Sequence, residues 1–292
     1  MDLLSIDSLS DEQIETILDR AGVFFAANRA RQSSTALAGK IVFQLFYENS
    51  TRTAMSFATA THRLGASPVA LSVEHSSVKK GETLEDTAHT LNAMRPDALV
   101  IRHRENGAPD TVARIMECPV INAGDGTNEH PTQALLDAAT LRQHFGRLDG
   151  LKVAICGDVR HSRVARSNAN LLPRLGAEVR LAGPVEFMPD GASLSIDEAI
   201  AGADAVMMLR IQRERIDDDL DYAPGEYLQR YGLTAERLRQ ASTSAVVMHP
   251  GPMNRGVEID GQIADDPERS LITLQVEMGV AVRMACLELL IG

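Results

Sequence analysis

The feature that most constrains this chain is an alternation that repeats along most of its length. Short apolar runs trade places with stretches of helical periodicity from residue 40 almost to residue 292. "KIVFQLF" (40–46), "SPVALSV" (67–73), "DALVIR" (97–102) and "CPVINAG" (118–124) read as buried strands. Helices are expected at 10–28, 51–64, 81–94 and 130–146, the last with Pro131 in its first turn and Gly146 at its end. After "RLDG" the pattern restarts, with strands at 151–157, 177–183, 204–210 and 244–250 and helices at 162–176 and 197–203. Strands that alternate with helices imply parallel sheets covered on both faces. The fold class is therefore α/β, with two doubly wound parallel-sheet domains bridged by helices. The expected division is 1–135, completed by an apolar C-terminal helix at about 271–292, and 136–270. Two local expectations are more specific. Ala54, Phe57, Ala58 and Thr61 fall on one face of the 51–64 helix, which Gly65 stops. "IDDDLDYAPGEY" (216–227) should be a mobile surface loop.

Composition narrows the function classes. The formal charge of −11 is a poor field for polyanions, so nucleic acid is not an expected partner. Trp is absent and aromatics are few, which argues against stacking platforms for single strands. Cys118, Cys156 and Cys286 lie far apart, so neither a disulfide framework nor a zinc site is indicated. Cys156 reads as a small core residue. The start of the chain is polar and acidic, and no apolar run approaches a membrane span. A soluble cytoplasmic protein without a membrane partner is expected. In such an acidic chain an anionic substrate needs a locally basic pocket, which makes clustered arginines informative.

"FYENSTRT" (46–53) is the densest such cluster, where a strand gives way to a helix. Ser50 can cap the helix, leaving free N–H groups and the positive end of the dipole pointing outward. Arg52 adds a forked cation that matches phosphate geometry. Taken alone, the four residues 50–53 read at least as well as an ordinary cap with an exposed Arg. Further polar segments weigh against that reading. "SSVKKGETLEDT" (76–87), "VIRH" (100–103), "HPTQALLD" (130–137), "MLRIQRER" (208–215) and "MHPGPMNRGVEI" (248–259) all fall at or near strand ends. Ligands of open α/β sheets bind outside the carboxyl ends of the strands. A nucleotide-binding reading of "ICGDVRHSRVARS" fails, because Gly157 is followed by no glycines at GxGxxG spacing.

These segments resemble the aspartate and ornithine carbamoyltransferases over essentially the whole chain. "FYENSTRT" with "HPTQALLD" carries the resemblance, and "RIQRER" with "HPGPMNRGVEI" points to the aspartate branch. The resemblance implies transfer of the carbamoyl group of carbamoyl phosphate to L-aspartate in pyrimidine synthesis, with no cofactor and no metal. It assigns carbamoyl phosphate to the first domain and aspartate to the second. Ser50, Thr51, Arg52 and Thr53 would hold the phosphate, and Arg102 would contact phosphate and carbonyl oxygen. His130, at a helix start that disfavours imidazolium, would donate to the same carbonyl. Gln133 would bind the carbamoyl amide, together with backbone carbonyls of Pro250, Gly251 and Pro252. Arg163, Arg210 and Gln212 would bind aspartate. Ser76 and Lys80 would also bind it, reaching into the site of a neighbouring subunit, so a homotrimer with shared sites is implied. Arg52, Arg102, His130 and Lys80 would be catalytic, and Glu48 and Arg215 would pair on domain closure. A separate regulatory chain or a dihydroorotase partner stays open. The chain departs from the family pattern at Ala54 and Ala58, where Arg and Glu are usual, as if an ion pair had been lost as a unit.

Overall fold

A computed structural model describes residues 1–71, 81–189, 194–211 and 225–292. The chain divides into two compact units, Met1–Ala139 with Val276–Gly292, and Thr140–Gln275. The first unit contains α1 (Asp11–Arg29), β1 (Ile41–Phe46), α2 (Thr51–Arg63), β2 (Ser67–Leu71), α3 (Leu84–Ala93) and β3 (Ala98–His103). It continues through α4 (Ala108–Ala113) and β4 (Val120–Asp125) into α5 (Pro131–Phe145), along which the chain passes to the second unit. There follow β5 (Lys152–Cys156), α6 (Arg163–Arg174), β6 (Glu178–Ala182), α7 (Ile196–Ile200) and β7 (Ala205–Met208). The last elements are α8 (Glu226–Tyr231), α9 (Ala235–Leu238), β8 (Val246–Met248), α10 (Gly261–Ala264) and α11 (Ile272–Ile291), which returns the chain to the first unit.

Each unit holds one four-stranded sheet, ordered β2-β1-β3-β4 in the first and β6-β5-β7-β8 in the second. Among the described residues every pairing between these strands is parallel. The two units thus repeat one topology, although the sequence carries no repeat of short period. The first core gathers Leu45, Leu99, Ile101 and Val120 from the strands with Ala88, Leu91 and Val112 from the helices. The second packs Ala154, Val206 and Val247 against Ile196, Ile200, Leu238 and Ile263. Cys156 belongs to that core, and burial pushes its thiol up to about 12, as an inert packing residue requires. Among the described residues no helix is long and apolar enough to cross a membrane.

Local differences from the sequence reading have physical causes. The inward face of α2 is Thr53, Ser56, Phe57, Ala60 and Thr61, so Ala54 and Ala58 are only half-buried. The helix is turned because Ser56 is used inside, where it accepts a hydrogen bond from Arg283 at 2.9 Å. Helix α3 starts at Leu84 rather than 81 because Thr83 caps it, accepting from the Asp86 N–H. Helix α4 has no counterpart in the sequence reading; it follows Gly107, at φ 78°, whose N–H is held by Asp125. Of the expected 216–227 loop only residues 225–227 are described, and there α8 begins after Gly225. β2 is an edge strand left largely exposed.

The burial of β3 supports a direct test of the first core. Ile101 is fully buried between two neighbouring strands. Ile101→Ala should destabilise the protein by about 2–5 kcal/mol, the usual range for an aliphatic core truncation. A denaturation midpoint equal to that of the unaltered protein would contradict this packing.

Candidate active site

In both sheets the chain crosses over in opposite senses from adjacent central strands, which opens a crevice at their carboxyl ends. In the first unit these strands are β1 and β3, and the register sets Phe46 opposite Arg102. The turn after β1, Arg102 at the end of β3 and His130 after β4 therefore leave one edge of one sheet.

The turn after β1 is built as a capped helix start. Ser50 is extended (φ −155°, ψ 95°), and its Oγ accepts from the Thr53 N–H at 3.4 Å while its hydroxyl donates to Thr53 Oγ1 at 2.9 Å. Thr53 is buried, whereas Thr51 and Arg52 face solvent. The backbone N–H groups of this first turn carry the positive end of the α2 dipole.

Arg102 is only 8% exposed. Burying a guanidinium requires partners, and two are fixed. Its Nη1 donates to the Ala123 carbonyl at 3.1 Å, and its Nη2 lies 3.2 Å from Glu48 Oε1. Glu48 is thus engaged inside the first unit, while Arg215 lies outside the described residues.

The loop that leads to His130 is organised by Asp125. Its carboxylate accepts from Asn122 Nδ2 (2.8 Å), the Gly107 N–H (2.8 Å), Asn128 Nδ2 (3.1 Å) and the Glu129 N–H (3.0 Å). His130 is buried, and its carbonyl accepts the Gln133 N–H at 2.9 Å as α5 begins at Pro131. Gln133, 8% exposed, donates from Nε2 to Asp137 Oδ1 at 3.0 Å. Sequence reasoning missed Asp125 and Asp137. Only Asp137 left a signal, four residues after Gln133 on one helix face.

The second unit repeats the scheme. Arg163 follows β5 as the buried first residue of α6, capped by Ser162, whose Oγ accepts from the Ala165 N–H at 3.2 Å. Arg210 is half-buried, two residues beyond β7. Gly157, at φ 128°, lets the β5 turn approach β7, since a Cβ there would come 2.9 Å from the Leu209 carbonyl. After β8 the turn 249–252 rests on two buried side chains. The Gly251 N–H donates to His249 Nδ1 at 2.8 Å, so the ring proton sits on Nε2, 3.4 Å from Glu258 Oε1. Glu258 also accepts from the Asn254 N–H. Gly251 has φ 65°, and the Gly251–Pro252 bond is cis. Glu258 was missed by the sequence reading; its partner is nine residues away in a turn and no local pattern marks it. Ser76, Lys80 and Gln212 lie outside the described residues. Among the described residues no His, Cys, Asp and Glu cluster has the makings of a metal site.

Comparison with known proteins gives a consistent result. Residues 1–143 match the family model of the aspartate/ornithine carbamoyltransferase carbamoyl-P binding domain. Residues 149–290 match that of the Asp/Orn binding domain. The aspartate carbamoyltransferase catalytic subunits of Rhodospirillum rubrum and Paracoccus denitrificans are each 55% identical, over 99% of this chain and 93% of theirs. Aspartate transcarbamoylase of Trypanosoma cruzi in complex with N-(phosphonacetyl)-L-aspartic acid superposes with a TM-score of 0.89 at 32% identity, covering 100% of this chain and 96% of that one. Ornithine carbamoyltransferase of Pyrococcus furiosus gives the same TM-score, 0.89, at 27% identity, covering 100% and 97%. Backbone shape therefore does not separate the two branches, and the side chains must.

The role of Asp125 is testable without substrate. Asp125→Ala removes the acceptor of several buried donors, each of which costs about 1–3 kcal/mol when left unsatisfied. A marked fall in the denaturation midpoint is expected. No change would mean that the loop before His130 is held by something else.

Proposed function

The chain belongs to the aspartate/ornithine carbamoyltransferase family, and from that premise we propose that it transfers the carbamoyl group of carbamoyl phosphate to L-aspartate. The products are N-carbamoyl-L-aspartate and phosphate, a step of de novo pyrimidine synthesis. The observation that carries the aspartate reading is a pair of arginines. Arg163 and Arg210 leave the two strands that flank the crevice of the second sheet. A dicarboxylate calls for two forked cations of this kind, and the catalytic subunits named above are aspartate enzymes.

The chemistry needs no protein nucleophile. Carbamoyl phosphate is a mixed anhydride, so the neutral amine of aspartate attacks the carbonyl carbon directly. A C–N bond forms, the carbonyl becomes a tetrahedral oxyanion, and collapse breaks the C–O bond to phosphate. The proton lost from nitrogen leaves with hydrogen phosphate. The protein must align two anions and stabilise developing charge. In this reading Ser50, Thr51, Arg52 and Thr53 hold the phosphate as it departs. Arg102 and His130 face the carbonyl oxygen, and Gln133 with the carbonyls of Pro250, Gly251 and Pro252 takes the NH₂ group. Arg163, Arg210 and Gln212 bind aspartate, with Ser76 and Lys80 supplied by a neighbouring subunit. Glu48 and Arg215 pair when the enzyme closes.

The family reading makes the assembly a homotrimer, and an exposed sheet edge is compatible with association of some kind. Edge strands are templates for association unless covered. β2 is such an edge, and Val69 on it and Met55 on the packed helix α2 are 47% and 61% exposed. The family reading also implies a cytoplasmic location.

The first test is phosphate release from carbamoyl phosphate with L-aspartate, L-ornithine or no amine, with the carbamoylated product identified. Product with aspartate alone is expected. Product with ornithine alone would overturn the roles of Arg163 and Arg210. Arg52→Ala should lower turnover by about 10²–10³-fold, as losing a preorganised donor to developing charge does elsewhere. Near-normal turnover would remove Arg52 from the site. Mixing inactive Lys80→Ala and Arg52→Ala chains should restore some activity. Hybrid oligomers without any recovery would argue that each site is complete within one chain.

A further inference from the structure

Gln133 and Asp137 lie one turn apart on α5 and share a face. The Gln133 amide gives its Nε2–H to Asp137 Oδ1 at 3.0 Å, and Asp137 has no solvent exposure. This contact determines which way the amide points. A carboxylate only accepts, so Gln133 must turn its NH₂ toward Asp137, which leaves Oε1 as the end that Asp137 does not hold. Without that partner the amide could present either end at little cost.

A buried carboxylate needs a nearby positive charge, and Arg283 on α11 supplies one. Burial lowers the Arg283 pKa to about 10, with Cys286 and then Asp137 working against that fall, so the guanidinium stays cationic near neutral pH. Arg283 is itself held from several sides. Its Nη1 donates to Ser56 Oγ at 2.9 Å and to the Gly279 carbonyl at 3.1 Å, and its guanidinium carbon lies 5.1 Å from the centre of the Phe57 ring. The charge behind Asp137 is therefore fixed by α2 and α11, both packed inside the first unit.

We propose that Asp137 is a positioning residue that gives the site its selectivity for a carbamoyl over an acyl group, by holding Gln133 with its carbonyl oxygen toward the substrate. This rests on the reading of Gln133 as the contact to the carbamoyl NH₂. Carbamoyl phosphate and acetyl phosphate share the phosphate and the carbonyl and differ in NH₂ against CH₃. An outward acceptor rewards the donor NH₂ and is left unsatisfied by a methyl group. A site built to hydrogen-bond a group rejects analogues that lack it. An amide free to turn would present its own NH₂ to the substrate's NH₂ part of the time.

The test is a cycle of Asp137→Asn, Gln133→Ala and the double variant. The readout is the ratio of acetyl phosphate to carbamoyl phosphate dissociation constants, from competition in the transfer assay. Asp137→Asn keeps the shape but can donate as well as accept, so it releases the amide. The ratio should fall by about tenfold, mostly through weaker carbamoyl phosphate binding. In the Gln133→Ala background Asp137→Asn should change the ratio no further. An unchanged ratio in Asp137→Asn, while Gln133→Ala lowers it, overturns the proposal and leaves the role of Gln133 standing. Equal independent losses also overturn it, because Asp137 would then act by another route. An unchanged ratio in Gln133→Ala overturns the underlying reading and the proposal with it. Circular dichroism confirms folding, and Asp137→Ser replaces Asp137→Asn if that chain does not fold. If neither folds, hydrogen exchange of the Gln133 side-chain amide in the unaltered protein decides. Protection is expected, and exchange as fast as in free glutamine overturns the proposal.

Discussion

Parallel pairing forces every strand of a sheet to end at the same edge, and the rest of this molecule follows from that constraint. The two central strands of each sheet send their connections in opposite directions, so a crevice opens between their ends. In the first unit one of these is β3, whose six residues are all buried. The same strand that anchors the core with Leu99 and Ile101 carries Arg102 to the crevice. A guanidinium buried there needs partners, and the Ala123 carbonyl and Glu48 are two of them. Core packing and site geometry are thus two ends of one strand. A shift in register by a single residue would spoil both.

A second regularity lies behind the donors. The protein is acidic overall, and most acidic side chains are solvated at the surface. Among the described residues four carboxylates are fully buried: Asp125, Asp137, Asp158 and Glu258. Each does what a neutral side chain could not do as well. A carboxylate accepts several hydrogen bonds and gives none, so it fixes the direction of every donor around it. Asp125 orders the approach to His130, Asp137 orients Gln133, and Glu258 supports His249 and the turn beyond it.

The sequence made the architecture legible because strand and helix periods differ and both repeat. It also marked polar residues at strand ends, and the structure carries Arg102 and His130 in the first unit and Arg163 and Arg210 in the second to the carboxyl ends of their sheets. The remainder was hidden for identifiable reasons. Helix α4 depends on a Gly107 N–H bound by Asp125, a contact spanning eighteen residues in sequence that periodicity cannot show. The face of α2 was misjudged because Ser56 counts as polar and yet is buried to receive Arg283, a residue 227 positions away. Buried polar pairs of this kind defeat pattern reading, which assigns polar residues to the surface. Asp137 was within reach, since its spacing from Gln133 is helical and both lie in one quoted segment.

The same interior network bears on Ala54 and Ala58, where the family pattern carries an arginine and a glutamate. The two positions are four residues apart on α2, the spacing of a helix ion pair, and both are half-buried. An exposed pair at that spacing contributes only about 0.3–0.5 kcal/mol, so losing both partners together costs the helix little. Losing one alone would have left a lone charge on the flank of the turn. The turn keeps its Ser50 cap, the positive end of the α2 dipole and the exposed Arg52. It also keeps a cation beneath it, because Arg283 donates to Ser56 and lies over Phe57, the residues that follow the turn on the inward face of the helix. That charge is screened far less by salt than a surface arginine would be, because it is buried. The start of α2 therefore keeps one cation held from inside the unit and another, Arg52, on its surface.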